Sequence, residues 1–106
     1  MNSSANEAVL QQFRNCSLIF VALGDPNRQD IIMKLAERGR LNVNQITEMI
    51  ALSRPAVSHH LKILREAGIL KADKLGKEKF YYLNLEHVMT EIKELFARME
   101  QDCIHP

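Results

Sequence analysis

Residues 42–67 read NVNQITEMIALSRPAVSHHLKILREA, and the fold turns on this stretch. Asn42 followed three residues later by Gln45 is a capping-box pattern, in which each side chain satisfies the other residue's backbone amide. A short helix runs from there to about Ala51, with Val43, Ile46 and Ile50 spaced for one buried face. Leu52 makes the turn. Ser53 is a second cap, and Pro55 suits the first turn of the next helix, where a missing amide hydrogen costs nothing. That helix reaches about Ala67, and Gly68 stops it. Val57, Leu61 and Leu64 form a narrow apolar stripe, which leaves Arg54, Ser58, His59, Lys62 and Arg65 on the opposite side. Two short helices across a tight turn, the second basic on its free face, make a helix-turn-helix.

Working outward, Ile69 to Asp73 and Lys79 to Leu83 read as strands around a turn at Leu75-Gly76-Lys77-Glu78. Lys74, Lys77 and Lys79 fall at or near its tip, so the hairpin reads as a basic wing. Upstream, Asp25-Pro26 opens a helix that buries Ile31, Ile32 and Leu35 and ends at Gly39. The first helix, from about Glu7 to Leu23, carries Val9, Phe13, Cys16, Phe20 and Leu23 on one stripe and Leu18, Val21 and Ala22 on a second. A helix that is apolar on two sides needs cover on both, which a second copy of the chain supplies most simply. Asn84 is expected to cap a last helix to about Asp102, with Leu85, Val88, Met89, Ile92, Leu95, Phe96, Met99 and Cys103 on a wide stripe. Residues Met1 to Asn6 are small and polar and are expected to fray. The expected fold is mostly α with a two-stranded β-wing, a winged helix-turn-helix. A single domain spans residues 1–106, with the helix-turn-helix over about 42–67, the wing over about 69–83, and pairing through the first and last helices.

Composition narrows the function. The chain has 106 residues, 46% hydrophobic and 25% charged, which fits one folded domain and excludes a disordered chain. The longest apolar run, Leu18 to Leu23, is far below the ~18 residues that span a bilayer, and no secretory segment opens the chain. Two cysteines are too few for a disulfide scaffold, so a reducing cytoplasm is expected. The net charge of +1 conceals an uneven distribution. Residues 54–79 hold seven bases against three acids, and the remainder seven bases against ten acids. A basic patch on a near-neutral chain marks a face for a polyanion. No glycine-rich phosphate loop, nucleophile–base pair or carboxylate pair is present, so neither an enzyme nor a cofactor is expected.

Several motifs, taken in order, resemble the ArsR family of small bacterial winged-helix repressors. They are Leu23-Gly24-Asp25-Pro26-Asn27-Arg28, Ser53-Arg54-Pro55-Ala56-Val57-Ser58-His59-His60-Leu61-Lys62-Ile63-Leu64, Ala67-Gly68-Ile69-Leu70 and Phe80-Tyr81-Tyr82-Leu83. The resemblance spans about Val9 to Met99 and implies a homodimer joined by its first and last helices. Its metal sites do not carry over. Members with a Cys-x-Val-Cys sequence before the turn have cysteines where this chain has Asn42, Val43, Asn44 and Gln45. Members that bind metal on the last helix use Asp-x-His and His-x-x-Glu pairs. Here His87 matches one ligand, while Leu85, Arg98 and Gln101 replace the others. One ligand in four is not a zinc site.

The expected partner is double-stranded DNA, bound at a palindromic operator by a homodimer. Ser53 and Pro55 place the helix N-terminus at a phosphate, Arg54 suits a bidentate contact to guanine, and Ser58 and His59 reach base edges. Lys62 and Arg65 are expected at phosphates, and Lys74, Lys77 and Lys79 at the backbone or minor groove. His60 borders Val57, Leu61 and Leu64 and reads as a polar residue at the core edge, bonded to the backbone, with a DNA contact as the alternative. Tyr81 and Tyr82 read as strand packing. Cys16 and Cys103 fall on the terminal helices and admit three readings: core filling, a thiol sensor, or a soft-metal site with His105 or His87. The inducer, if a small molecule relieves binding, is not specified by these residues. A winged-helix module that binds protein instead of DNA is the reading from another class.

Overall fold

The computed structural model describes residues 3–104. Met1, Asn2, His105 and Pro106 lie outside the described residues, and with them His105 of the soft-metal reading. The elements are α1 (Ser3–Asn15), α2 (Ser17–Leu23), α3 (Pro26–Arg38), α4 (Val43–Met49), α5 (Arg54–Glu66), β1 (Leu70–Leu75), β2 (Glu78–Leu83) and α6 (Glu86–Met99), followed by a π-helical turn, Glu100–Ile104.

The local signals in the middle of the chain act as expected. Asp25 accepts from the Arg28 amide at 3.0 Å and caps α3, with Pro26 in its first turn. Asn42 and Gln45 make both bonds of the capping box, at 2.8 and 2.9 Å, and Ser53 accepts from the Ala56 amide. Gly68, at φ 78°, closes α5. Its amide donates to the Arg65 carbonyl and the Ile69 amide to the Leu64 carbonyl, the paired bonds of a Schellman end. The main core gathers Ile31 and Leu35 of α3, Ile46 of α4, Val57, Leu61 and Leu64 of α5, Ile69, and Val88 of α6.

The ends of the chain depart from expectation. The first helix begins at Ser3, before Glu7, and breaks at Cys16 into α1 and α2. The cause is local. The Cys16 amide is shared between the Gln12 and Phe13 carbonyls, and Ser17 Oγ back-bonds to Phe13 O at 3.2 Å, a bond that bends helices. The buried stripe is Val9, Gln12, Cys16, Ile19 and Ala22, whereas Phe13 and Phe20 face outward. Gln12 can be buried because its amide donates to the Glu91 carbonyl at 3.0 Å and the Glu91 carboxylate at 2.7 Å. At the other end Asn84 caps nothing. Its amide closes the wing on Ile69 O at 2.8 Å, and α6 starts beyond Leu85 without a side-chain cap. On α6 only Val88 and Leu95 are fully buried, while Met89 and Phe96 stand exposed.

The wing is longer toward its tip than its alternation suggested, with Gly76 and Lys77 as a two-residue turn and Gly76 at φ 65°. A single-residue third strand also joins it. Leu41 exchanges two backbone bonds with Tyr81, at 3.1 and 2.8 Å. Leu41's neighbours reinforce it. Arg40 pairs with Asp73 at 2.7 Å and lies 4.4 Å over the Tyr82 ring, and Asn42 donates to Glu78 at 3.1 Å. Three consecutive residues before α4 thus set the angle of the wing against the helix-turn-helix.

Candidate nucleic-acid interface

The exposed side of α5 and the near face of the wing form one surface. The stripe of Val57, Leu61 and Leu64 is buried to 1% or less, so the helix cannot rotate and its opposite side must face outward. Ser53, Arg54, Pro55, Ser58, His59, Lys62 and Arg65 are all exposed, as are Lys74, Lys77 and Lys79. Ser58, Lys62 and Arg65 line a cleft of about 490 Å³ with Lys79 and Tyr81 of the wing, and Glu66 is its one acid. A smaller cleft of about 200 Å³ joins Arg54 to Asn42, Val43, Asn44, Lys77, Glu78 and Lys79. Lys79 borders both. His59 and Lys74 lie outside these two clefts, and Ser53 and Pro55 sit at the start of α5.

Electrostatics favour an anion here. In the hairpin register Lys74 stands directly opposite Lys79, an arrangement of like charges that weakens a bare sheet. A phosphate between two such ammonium groups turns that repulsion into binding. The first turn of α5 adds the positive end of a helix dipole, although Pro55 has no amide hydrogen and the Ala56 and Val57 amides already donate to Ser53.

Two features escaped the sequence reading. Arg54 Nε donates to Asn44 Oδ1 at 3.0 Å, so α4 braces the guanidinium and leaves its terminal nitrogens outward. No periodicity signals a bond across ten residues and a turn. His60 is turned inward, as its place at the core edge suggested, but its partner is a side chain and not the backbone. Its Nδ1 lies 3.1 Å from Arg28 Nη1 and 3.9 Å from Asp25 Oδ2. Tyr81 is buried and Tyr82 is half-buried beneath Arg40, so both are strand packing.

The cysteines differ from each other. Cys16 is fully buried and its Sγ donates to the Glu91 carbonyl at 3.4 Å. Burial pushes its thiol above the usual range, the nearby Glu91 charge adds to the rise, and a Gln12 hydrogen bond only partly offsets it. Cys103 is exposed on the C-terminal turn, which packs on α1. His87 is exposed on α6, its Nε2 4.0 Å from Glu91 Oε1, and no three metal-binding side chains converge among the described residues.

Comparison with known proteins places this geometry. A profile of the bacterial regulatory protein, ArsR family, matches residues 25–72, from the cap of α3 into β1. A helix-turn-helix transcriptional regulator of Methanocaldococcus jannaschii is 40% identical over 84 residues, covering 79% of this chain and 94% of the relative. The arsenical resistance operon repressor of Bacillus subtilis is 36% identical, with 79% and 85% covered. Among solved structures the transcriptional repressor PagR of Bacillus anthracis superposes with a TM-score of 0.65 at 29% identity, over 81% of this chain and 98% of that one. With a helix-turn-helix, a basic wing and relatives that match about four fifths of it, the chain belongs to the ArsR family, a family of DNA-binding transcriptional regulators and not of enzymes.

Proposed function

We propose that the chain, as a single winged-helix domain, is a cytoplasmic homodimeric repressor that binds a palindromic operator. The observation that carries this is the meeting of Ser58, Lys62 and Arg65 of α5 with Lys79 of the wing in one basic cleft, beside the braced Arg54. Arg54, Ser58 and His59 read base edges in the major groove. Ser53 and Pro55 at the helix start, Lys62, Arg65, and the wing residues Lys74, Lys77 and Lys79 hold phosphates or the minor groove. The dimer is supported by where apolar surface remains. Of the eleven exposed large hydrophobic residues among those described, eight lie on α1, α2, α6 and the C-terminal turn: Leu10, Phe13, Leu18, Phe20, Val21, Met89, Phe96 and Ile104. Exposed apolar side chains concentrated on these elements favour an interface there.

A thiol response that joins Cys16 to Cys103 within one chain is not favoured. Cys16 Sγ bonds the Glu91 carbonyl, and Cys103 lies twelve residues farther along the same helical run, about 18 Å at 1.5 Å per residue. A disulfide needs Cα atoms within about 7 Å.

The function is tested by fluorescence anisotropy on a duplex recovered from a random-sequence pool by the purified protein. That duplex is expected to bind at least ~10³-fold tighter than an unrelated one, the usual gap between specific and non-specific binding. Equal binding to both overturns sequence-specific recognition, and binding to neither supports the protein-interaction module instead.

A further inference from the structure

Arg28 is a charged residue in an apolar place. It is only 8% exposed and sits in the first turn of α3. A cation removed from water needs hydrogen-bond partners, and each of the three nitrogens of this guanidinium has one. Nε donates to Ala22 O and Nη2 to Val21 O, both at 2.8 Å. Those carbonyls belong to the last turn of α2, where helix acceptors lack intrahelical donors and the dipole is negative. The remaining arm, Nη1, is 3.1 Å from Nδ1 of His60, in the middle of α5. A guanidinium has no acceptor atom, so Nδ1 must be the acceptor, and the ring carries its hydrogen on Nε2. The other groups facing this ring are the Asp25 carboxylate, 3.9 Å from Nδ1, and the His59 ring on the same helix, 6.0 Å away between centroids. One planar fork therefore joins α2, whose outer side is exposed Leu18, Phe20 and Val21, to the helix that carries the basic face.

We infer that Arg28 is a positioning residue for operator binding: through His60 Nδ1 it locks α5 to the C-terminal end of α2. This rests on the reading that α5 meets DNA and that α1–α2 and α6 join two chains. With the lock in place, the spacing and angle of the two α5 helices follow from how the α2 helices pack in the dimer. Without it, α5 keeps its apolar packing in the core and against α2 but loses the hydrogen-bonded link that fixes its direction relative to that helix. Lysine cannot replace Arg28, since a single ammonium does not reach three acceptors set in one plane.

The test combines NMR of the His60 ring with operator anisotropy and sedimentation. In the parent, long-range ¹⁵N–¹H correlations are expected to show Nδ1 without hydrogen, and Arg28→Lys should shift that tautomer balance. Arg28→Lys and His60→Leu should each lose about tenfold in affinity for the selected duplex, the worth of one hydrogen bond to a charged group. Dimer dissociation and binding to unrelated DNA should stay unchanged. The double variant should lose no more than either single, because both remove the same link. His60→Asn, which keeps an acceptor close to the Nδ1 position, should retain parental affinity. An Nδ1-protonated ring in the parent, or parental affinity in His60→Leu, overturns the inference while the DNA reading stands. If the parent prefers no duplex, the DNA reading itself has failed, and the inference fails with it.

Discussion

Arg54 and Lys77 border the same cleft, yet their chemistry assigns them different work. A braced guanidinium presents two parallel donors, the pattern that matches the O6 and N7 edge of guanine, whereas an ammonium at the wing tip is a point charge for a phosphate. Arg54→Ala is therefore expected to cost about 1–3 kcal/mol on the preferred base at one position of each half-site and to relax preference there. Lys77→Ala should weaken all sequences alike and lower the log–log salt slope by about 0.9 for each phosphate left without its ammonium. Competition anisotropy across single-base variants and a salt series checks both. If the two substitutions behave identically, the division of labour is wrong. The residue types at this surface could be read from sequence, because the stripe of Val57, Leu61 and Leu64 dictates which side of α5 faces out. Their bracing could not. Asn44 to Arg54 and Arg28 to His60 are bonds between segments, and spacing along a chain carries no signal for them.

The elements owe their boundaries to caps, and one cap titrates. Asp25 has its carboxyl held below the usual range, chiefly by the Arg28 backbone amide it accepts, which outweighs the opposing cost of burial, with the Arg28 charge adding to the fall. A depressed carboxyl stabilises the fold above its unfolded value, about pH 4, and that stability is lost as pH falls through the lower folded value. Thermal melts of Asp25→Asn should accordingly show a flatter acid limb than the parent, since an amide keeps the capping oxygen without the titration. An unchanged acid limb contradicts the assignment. Ser53→Ala removes a neutral cap at the start of α5 and should cost about 1 kcal/mol at every pH, read as a drop in denaturant midpoint. Such helix starts were legible because Asp, Asn and Ser before helical periodicity act locally. The terminal helices were not. Asn84 looks like a cap, but its amide is claimed by Ile69 O in the wing, and Phe13 and Phe20 look like core until Gln12 and Cys16 take the inward side through Glu91.

The whole molecule is drawn out, with extents of 52 × 25 × 21 Å and a radius of gyration of 16.7 Å. A compact chain of this length has about 13 Å. The excess fits an arm of α1 and α6 whose outer side awaits cover. Phe96, 58% exposed on α6, should be harmless to the isolated fold and costly to a pair. Phe96→Glu is expected to give folded monomer by sedimentation, with helix content kept and operator binding lost. If the variant stays dimeric, the interface lies elsewhere. The most direct measurement of the central claim is a hydroxyl-radical footprint on the duplex selected by the parent protein, with stoichiometry from native mass spectrometry. Two chains protecting two symmetric patches, about 10–10.5 bp or a multiple apart, is the result this account predicts. One chain on one patch, or two patches with no symmetry between them, would contradict it.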